Sequence, residues 1–290
     1  MRFTKWHGLG NDFVLLDGFD EKVVMTPSLA RQLCDRKRGI GADGVAIILP
    51  PENSHYDLEM RIYNANGTIA EMCGNVTRCV AAYATQQQPD KKQWRILTAA
   101  GVMSADVITH TTQASEVTVM MGIPELQRGD IGITADKEQT AQNIRIDMDG
   151  KTLIFTGVSM GNPHVVTFVD DIDAVPLDDW GPRVEGNPLF SEKINVEFAQ
   201  MLSSNEIRMR VWERGVGITE ACGTGSCATL VAAVINKLVR DTATLILDGG
   251  QLQITWSGVG QPVQMAGPAV EVFSGEYKGI GENDDEYTIN

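Results

Sequence analysis

The 290-residue chain is expected to be an α/β protein (α+β in its mixture of elements) made of two pseudo-symmetric domains. Three observations predict this. The length exceeds most single cores and suits two domains of ordinary size. Sliding the sequence along itself exposes a repeat: RIYNANGTIAEMCGNVTRC, from Arg61, lies ungapped over RVWERGVGITEACGTGSCA, from Arg210. A second echo at nearly the same offset sets Gly10-Asn11 over Gly161-Asn162, each followed by an apolar run. Arg, Glu, Cys and Gly recur at 61/210, 71/220, 73/222 and 74/223, so each half carries a Gly-Asn turn and a Cys-Gly turn.

Apolar, β-branched runs predict strands over Phe13–Leu16, Ala46–Leu49 and Leu58–Tyr63 in the first half. Val117–Met121, Val165–Val169 and Glu206–Trp212 read the same way. Helices are expected over Pro27–Asp35, with Pro27 in its first turn, and after each Cys-Gly turn, over Val76–Gln87 and Cys227–Val239. The last two are rich in Ala and Val along much of their length and so are expected to be central and buried. Gly129–Gln142 reads as a surface loop holding one helical turn. The polar, Thr-rich stretch His110–Ser115 marks the join. Domain limits of 1–115 with about 266–290, carrying Cys73, and 116–265, carrying Cys222, follow.

Hydrophobic residues make up 43% and charged residues 21%, as in globular proteins; disorder is expected only where Glu282, Asp284, Asp285 and Glu286 crowd the end. A net charge of −14 argues against nucleic acid and anionic membranes as partners, while leaving room for a small zwitterion at a locally positive site. MRFTKWHGLGND has no apolar signal region and no run is long enough to span a membrane, so a cytoplasmic location is expected. The five cysteines, an odd number in a reducing compartment, do not suggest a disulfide framework. The spacings of Cys73 to Cys79 and of Cys222 to Cys227 are wide for zinc and lack a nearby His, so no metal is expected.

Cys73 and Cys222 each precede a predicted helix, where free N–H groups and the positive dipole end favour a thiolate and can hold a carboxylate. Gly74 and Gly223 leave the backbone open to a ligand. Two such helix ends facing each other across a domain cleft could bind one carboxylate between them. A thiolate would take the α-proton from one face while a thiol returned a proton to the other, with the amides stabilising the enolate-like charge. No pyridoxal phosphate is then required, and no segment singles out a Schiff-base lysine. Cys34, Cys79 and Cys227 read as inert buried cysteines.

At these residues the sequence resembles the diaminopimelate epimerases, within a wider fold group that includes proline racemases. The resemblance runs along nearly the whole chain, through HGLGNDF (7–13), NANGTIAEMCGN (64–75), GNPHVV (161–166), NVEF (195–198) and ERGVGITEACGTGS (213–226). It implies two domains, each a mixed sheet curled about a central helix, closing over the substrate. It also implies cofactor-independent conversion of L,L-diaminopimelate to the meso isomer, a precursor of lysine and peptidoglycan, by a homodimer. Cys73 and Cys222 become the proton carriers. Gly74, Asn75, Gly223 and Thr224 would meet the reacting carboxylate. Asn64, Asn162, Asn195, Glu213 and Arg214 would hold the distal amino-acid end, with Asn11 in the site and His164 lining it. Arg214 suits a carboxylate and Glu213 an ammonium.

Asn66 stands where the family usually has Asp, Val76 where it has Gly, and Gly44 where some members have Gln. A Val at 76 is strained if that position needs a positive φ, and tolerable in a first helical turn. These departures keep open a same-fold racemase for another amino acid, such as histidine or a hydroxyproline. A binding or isomerase-like relative without two-base chemistry is disfavoured by retention of both cysteines. A thiol redox role would require a working Cys73–Cys222 disulfide.

Overall fold

The computed structural model describes residues 1–19, 23–111 and 113–279; the acidic residues Glu282 to Glu286 lie outside them. Contacts divide the chain into two units, Met1–Val119 with the segment from Gly267 on, and Met120–Ala266.

The first unit runs β1 (Arg2–Gly8), β2 (Asn11–Asp17), α1 (Pro27–Cys34), β3 (Gly44–Leu49), β4 (Leu58–Asn64), β5 (Ile69–Ala70), α2 (Gly74–Gln87), β6 (Gln93–Thr98), β7 (Gly101–His110) and β8 (Ala114–Met120). The second runs β9 (Ile144–Met148), β10 (Lys151–Ser159), β11 (Pro163–Phe168), α3 (Leu177–Glu185), β12 (Asn195–Met201), β13 (Glu206–Glu213), β14 (Gly217–Thr219), α4 (Gly223–Ile235), β15 (Thr242–Leu247) and β16 (Gly250–Thr255). β17 (Gln264–Glu276) begins in the second unit and continues in the first.

The pairings repeat. In the first unit β1–β2 is antiparallel, β2–β3 parallel, β3–β4 antiparallel, β4–β6 parallel and β6–β7 antiparallel. In the second, β10–β11, β11–β12, β12–β13, β13–β15 and β15–β16 follow the same succession. β8 pairs with β7 and β17, and β17 with β1, which closes the first sheet on itself. Each unit is a mixed sheet with a helix packed on its inner face: α2 lies against β1, β2, β6 and β7, and α4 against β10 to β13, β15 and β16. The parallel-paired strands β3 and β12 are buried over most of their length, as strands covered on both faces must be.

Both predicted central helices exist and are buried, from Gly74 to Ala82 in α2 and from Gly225 to Ala233 in α4. Each fully buried Val or Leu among them contributes about 1.5–3 kcal/mol. They begin earlier than the apolar pattern indicated, because the Gly and polar residues after each cysteine already form the first turn. α4 does not reach Val239: it stops at Ile235, Asn236 caps it, and Lys237 takes φ +59. The apolar Leu238-Val239 had extended the pattern beyond the break. α1 was legible from Pro27 and from Thr26, whose hydroxyl accepts from Leu29 N at 3.1 Å. α3 was not, since Gly181 and Pro182 lie inside it. Gly181 is required there because a Cβ would meet the Trp212 ring at 2.6 Å. Residues 110 and 115 pair where β7 turns into β8, and Gly129–Ile131 forms a single 3-10 turn.

Candidate active site

Cys73 is the N-cap of α2, in an extended conformation (φ −149°). Its carbonyl accepts from Thr77 N at 3.0 Å and from Thr77 Oγ1 at 2.9 Å. Its thiol points at Asn11 Oδ1, 3.8 Å away, and the same oxygen accepts from Asn75 Nδ2 at 3.0 Å. Asn75 Oδ1 in turn accepts from the fully buried Arg78, which also donates to Pro268 O. Asn11 Nδ2 donates to Asp43 Oδ2 at 2.9 Å. Asn11, Cys73 and Asn75 therefore form one hydrogen-bonded group, with Gly74 between the last two.

Behind Asn11 lies a charge cluster absent from the sequence reading. Asp12 accepts from Arg36 at 2.8 and 3.0 Å and pairs with Lys5 at 2.7 Å, while Arg36 also reaches Asp43 at 2.7 Å. Burial alone would raise the Asp12 carboxyl, but the hydrogen bonds and charges of Arg36 and Lys5 outweigh it and bring its pKa from 3.8 to about 2. A carboxylate held below its unfolded value adds stability that is complete above about pH 4 and is lost as pH falls towards the folded value. The contribution is about 2 kcal/mol at 1.36 kcal/mol per pH unit. Acid unfolding should therefore show wild type losing about that much stability relative to Asp12→Asn between about pH 5 and pH 2. Parallel stability curves for the two proteins would refute the assignment.

Cys222 is the N-cap of α4 in the same extended conformation (φ −127°). Its carbonyl accepts from Ser226 N at 2.9 Å and Ser226 Oγ at 2.8 Å, repeating the Thr77 contacts. Its sulfur accepts from Gly225 N at 3.4 Å and lies 3.6 Å from Thr224 Oγ1. Asn162 Nδ2 donates to Thr224 Oγ1 at 3.3 Å, and His164 joins Asn162 Oδ1 at 3.1 Å through Nε2 and Glu197 Oε1 at 2.6 Å through Nδ1. Gly223 separates Cys222 from Thr224 as Gly74 separates Cys73 from Asn75.

The expectation that a helix end lowers the thiol pKa is not met at Cys222. Burial raises it well above the usual range, the Glu213 and Glu197 carboxylates add to the rise, and Gly225 N–H and the Thr224 hydroxyl offset only part. Burial also raises Glu213, against hydrogen bonding from the Thr219 hydroxyl. Cys34 and Cys79 are pushed by burial to about 11 and about 12, which fits inert thiols. Among the described residues, no group of three or more His, Cys, Asp or Glu is placed to hold a metal ion, and no helix is long and apolar enough to cross a membrane.

The remaining predicted residues fall into two sets. Asn162, His164, Thr224 and Cys222 form one group. Asn195 uses its amide to join backbones, donating to Pro163 O and accepting from Arg214 N, both at 2.9 Å. It thereby fixes Arg214, whose guanidinium reaches Lys193 O at 3.3 Å and Glu192 at 3.6 Å and stays partly exposed. Asn64 closes the β4–β5 turn with Thr68, and Asn66 caps the same turn through its side-chain oxygen, a task open to Asn or Asp alike. Val76 is the third helical residue, fully buried and not at positive φ, so the strain considered for it does not arise. Gly44 has no room for a side chain, since a Cβ would lie 2.9 Å from Tyr63 O.

Solved structures of 15–16% identity share the fold. A hydroxyproline epimerase from Agrobacterium vitis aligns over 95% of this chain and 90% of its own with a TM-score of 0.67. A PhzF-family phenazine biosynthesis protein from Bacillus anthracis does so over 96% and 98% with a TM-score of 0.66. Sequence relatives are much nearer. The diaminopimelate epimerase of Nostoc punctiforme is 47% identical over 281 residues, covering 95% of this chain and 99% of its own length. That of Pelotomaculum thermopropionicum is 47% identical over 280 residues, covering 96% and 99%. The family model described as diaminopimelate epimerase matches residues 3–127 and 156–272, and those stretches contain both cysteine half-sites. With relatives this similar along their full length and both half-sites inside the matched stretches, the chain belongs to the diaminopimelate epimerase family.

Proposed function

We propose that the protein interconverts L,L- and meso-diaminopimelate, with Cys73 and Cys222 as the acid–base pair, one thiol from each unit. One observation supports this above others. Both cysteines are N-caps in extended conformation, each followed by Gly and each with its carbonyl held by a hydroxyl four residues on. In each case N–H groups of the first helical turn can receive the substrate carboxylate and stabilise charge developing on it. Cys222, raised by its surroundings, starts as the thiol and supplies the proton in one direction; the roles exchange for the other isomer. Gly74, Asn75, Gly223 and Thr224 meet the reacting carboxylate. Asn64, Asn162, Asn195, Glu213 and Arg214 serve the distal end, with Asn11 and His164 as supports. The chemistry proceeds without pyridoxal phosphate or metal, in a cytoplasmic homodimer.

The test incubates reduced protein with each diaminopimelate isomer in heavy water, with no cofactor added. Deuterium entering the α-position together with isomer conversion is expected. Exchange with histidine or a hydroxyproline but not with diaminopimelate would defeat the reading.

Arg214→Met should raise KM for diaminopimelate about 10–100-fold, the value of hydrogen bonds to a charged group. Alkylation rates of both cysteines should stay unchanged, because the side chain contacts neither. A fall in alkylation at both would remove Arg214 from the distal clamp.

A further inference from the structure

The two half-sites share a backbone plan but carry hydrogen bonds of opposite sense. In the first unit Asn11 must turn its amide nitrogen to Asp43, because a carboxylate only accepts, and so it presents an oxygen to Asn75 and Cys73. In the second unit the equivalent Asn162 presents its nitrogen to Thr224 and its oxygen to His164. His164 Nδ1 is 2.6 Å from Glu197 Oε1 and its Nε2 is 3.1 Å from Asn162 Oδ1. An amide oxygen only accepts, so Nε2 is the ring nitrogen that donates to Asn162, and the Glu197 carboxyl group holds the ring in that orientation through Nδ1. Asn162 then donates to the Thr224 oxygen, which leaves the Thr224 hydroxyl proton for the Cys222 sulfur 3.6 Å away.

Nothing in the fold requires this arrangement. Register equates His164 with Phe13 and Glu197 with Ala46, since Phe13 pairs Gly44 and Leu15 pairs Ala46 as His164 pairs Asn195 and Val166 pairs Glu197. The first unit packs the same place with apolar groups. Glu197 is wholly buried and its Oε2 has no hydrogen-bond partner, a state that costs about 1–3 kcal/mol or more for a charged group.

We propose that Glu197 is a positioning residue for Cys222: by holding the His164 ring with its Nε2–H towards Asn162, it makes Asn162 a donor to Thr224 and leaves the Thr224 hydroxyl to donate to the sulfur. This rests on the reading of Cys222 as a proton carrier. Once Cys222 has given up its proton, the resulting thiolate sits in a buried place beside Glu213 from β13 and Glu197 from β12, and it needs donors. The relay and Gly225 N–H supply them. Glu197 thus acts in two opposed ways, raising the cost of a thiolate by its charge and lowering it through His164. The relay must outweigh the charge, and the sign of the change on removing Glu197 decides it.

The test reads the sign of that balance. Iodoacetamide alkylation of Cys222 and Cys73 would be followed by peptide mass across pH for wild type, Glu197→Gln, His164→Phe and the double variant. In Glu197→Gln the Cys222 midpoint should rise by about one pH unit while that of Cys73 stays put. His164→Phe should give a similar rise, and the double variant no further one. A fall in the Cys222 midpoint would show Glu197 acting as a bare charge. No movement, or rises that add in the double variant, would equally overturn the relay. Should Glu197→Gln fail to fold, His164→Phe with Glu197→Ala copies the Phe13/Ala46 pair and must show the same rise. Turnover is measured separately: wild type that does not convert diaminopimelate would refute the functional reading, whereas the alkylation pattern decides the relay alone.

Discussion

Cys222→Ser should lower interconversion of the diaminopimelate isomers about 10²–10⁴-fold, the range over which a positioned acid or base contributes. Cys73→Ser should do the same. A serine hydroxyl is far too weak an acid to exist as the base or to deliver a proton at matching cost, yet it nearly preserves the shape. It is also a better helix N-cap than cysteine, so both variants should unfold no earlier than wild type. The loss is then chemical. The residual activity should be lopsided: Cys222→Ser retains Cys73, which can still remove and return a proton on its own face. Deuterium exchange without inversion should therefore outlast conversion, for one isomer in each variant. Proton NMR in heavy water reads both quantities in one sample. Undiminished conversion in either variant would end the two-thiol mechanism.

The two helix-end cysteines were legible because the signal is local. A cysteine followed by Gly just before a helix describes a helix-end thiol wherever it occurs, and the offset repeat showed that there were two. The central helices were legible from composition. What depends on strands meeting was not. Glu197 and His164 lie 33 residues apart on strands paired in parallel, and only the register joins them. Their signal was present in another form: each is an ionisable residue inside a run that is otherwise uncharged and mostly buried, INVEFA and PHVVTF, where strand alternation offers no solvent face. The Asp12–Arg36–Asp43 cluster left less trace, since its members sit in polar surroundings that read as surface. α3 was hidden by Gly181 and Pro182, residues of low helix propensity inside it, Gly181 being required by its packing against Trp212.

A side chain added at Gly225 is expected to cost both stability and rate. Val76 occupies the corresponding third helical position in the first unit without strain, so the backbone permits a Val there. The surroundings do not. A Cβ at 225 would meet Glu197 Oε1 at 2.7 Å and the Cys222 sulfur at 3.2 Å. Glu197 is wholly buried on a central strand and cannot swing away, so either the helix start or the carboxylate must move. Overpacking of this kind costs about 1–3 kcal/mol. If Cys222 carries the proton as proposed, displacing it by an ångström can cost about 10²-fold in rate. Gly225→Val should show both losses, measured by denaturant unfolding and by turnover. The first unit escapes because Ala46 stands where Glu197 does, and this supplies the control: Glu197→Ala added to Gly225→Val should recover stability. It should not recover turnover, because the relay through His164 to Cys222 has then lost its anchor. The reverse exchange, Val76→Gly, should cost stability through the space vacated in a buried turn, with no change in which amino acids exchange their α-proton. A Val76→Gly protein with an altered substrate range would make that valine a specificity residue and reverse the conclusion that it is only packing.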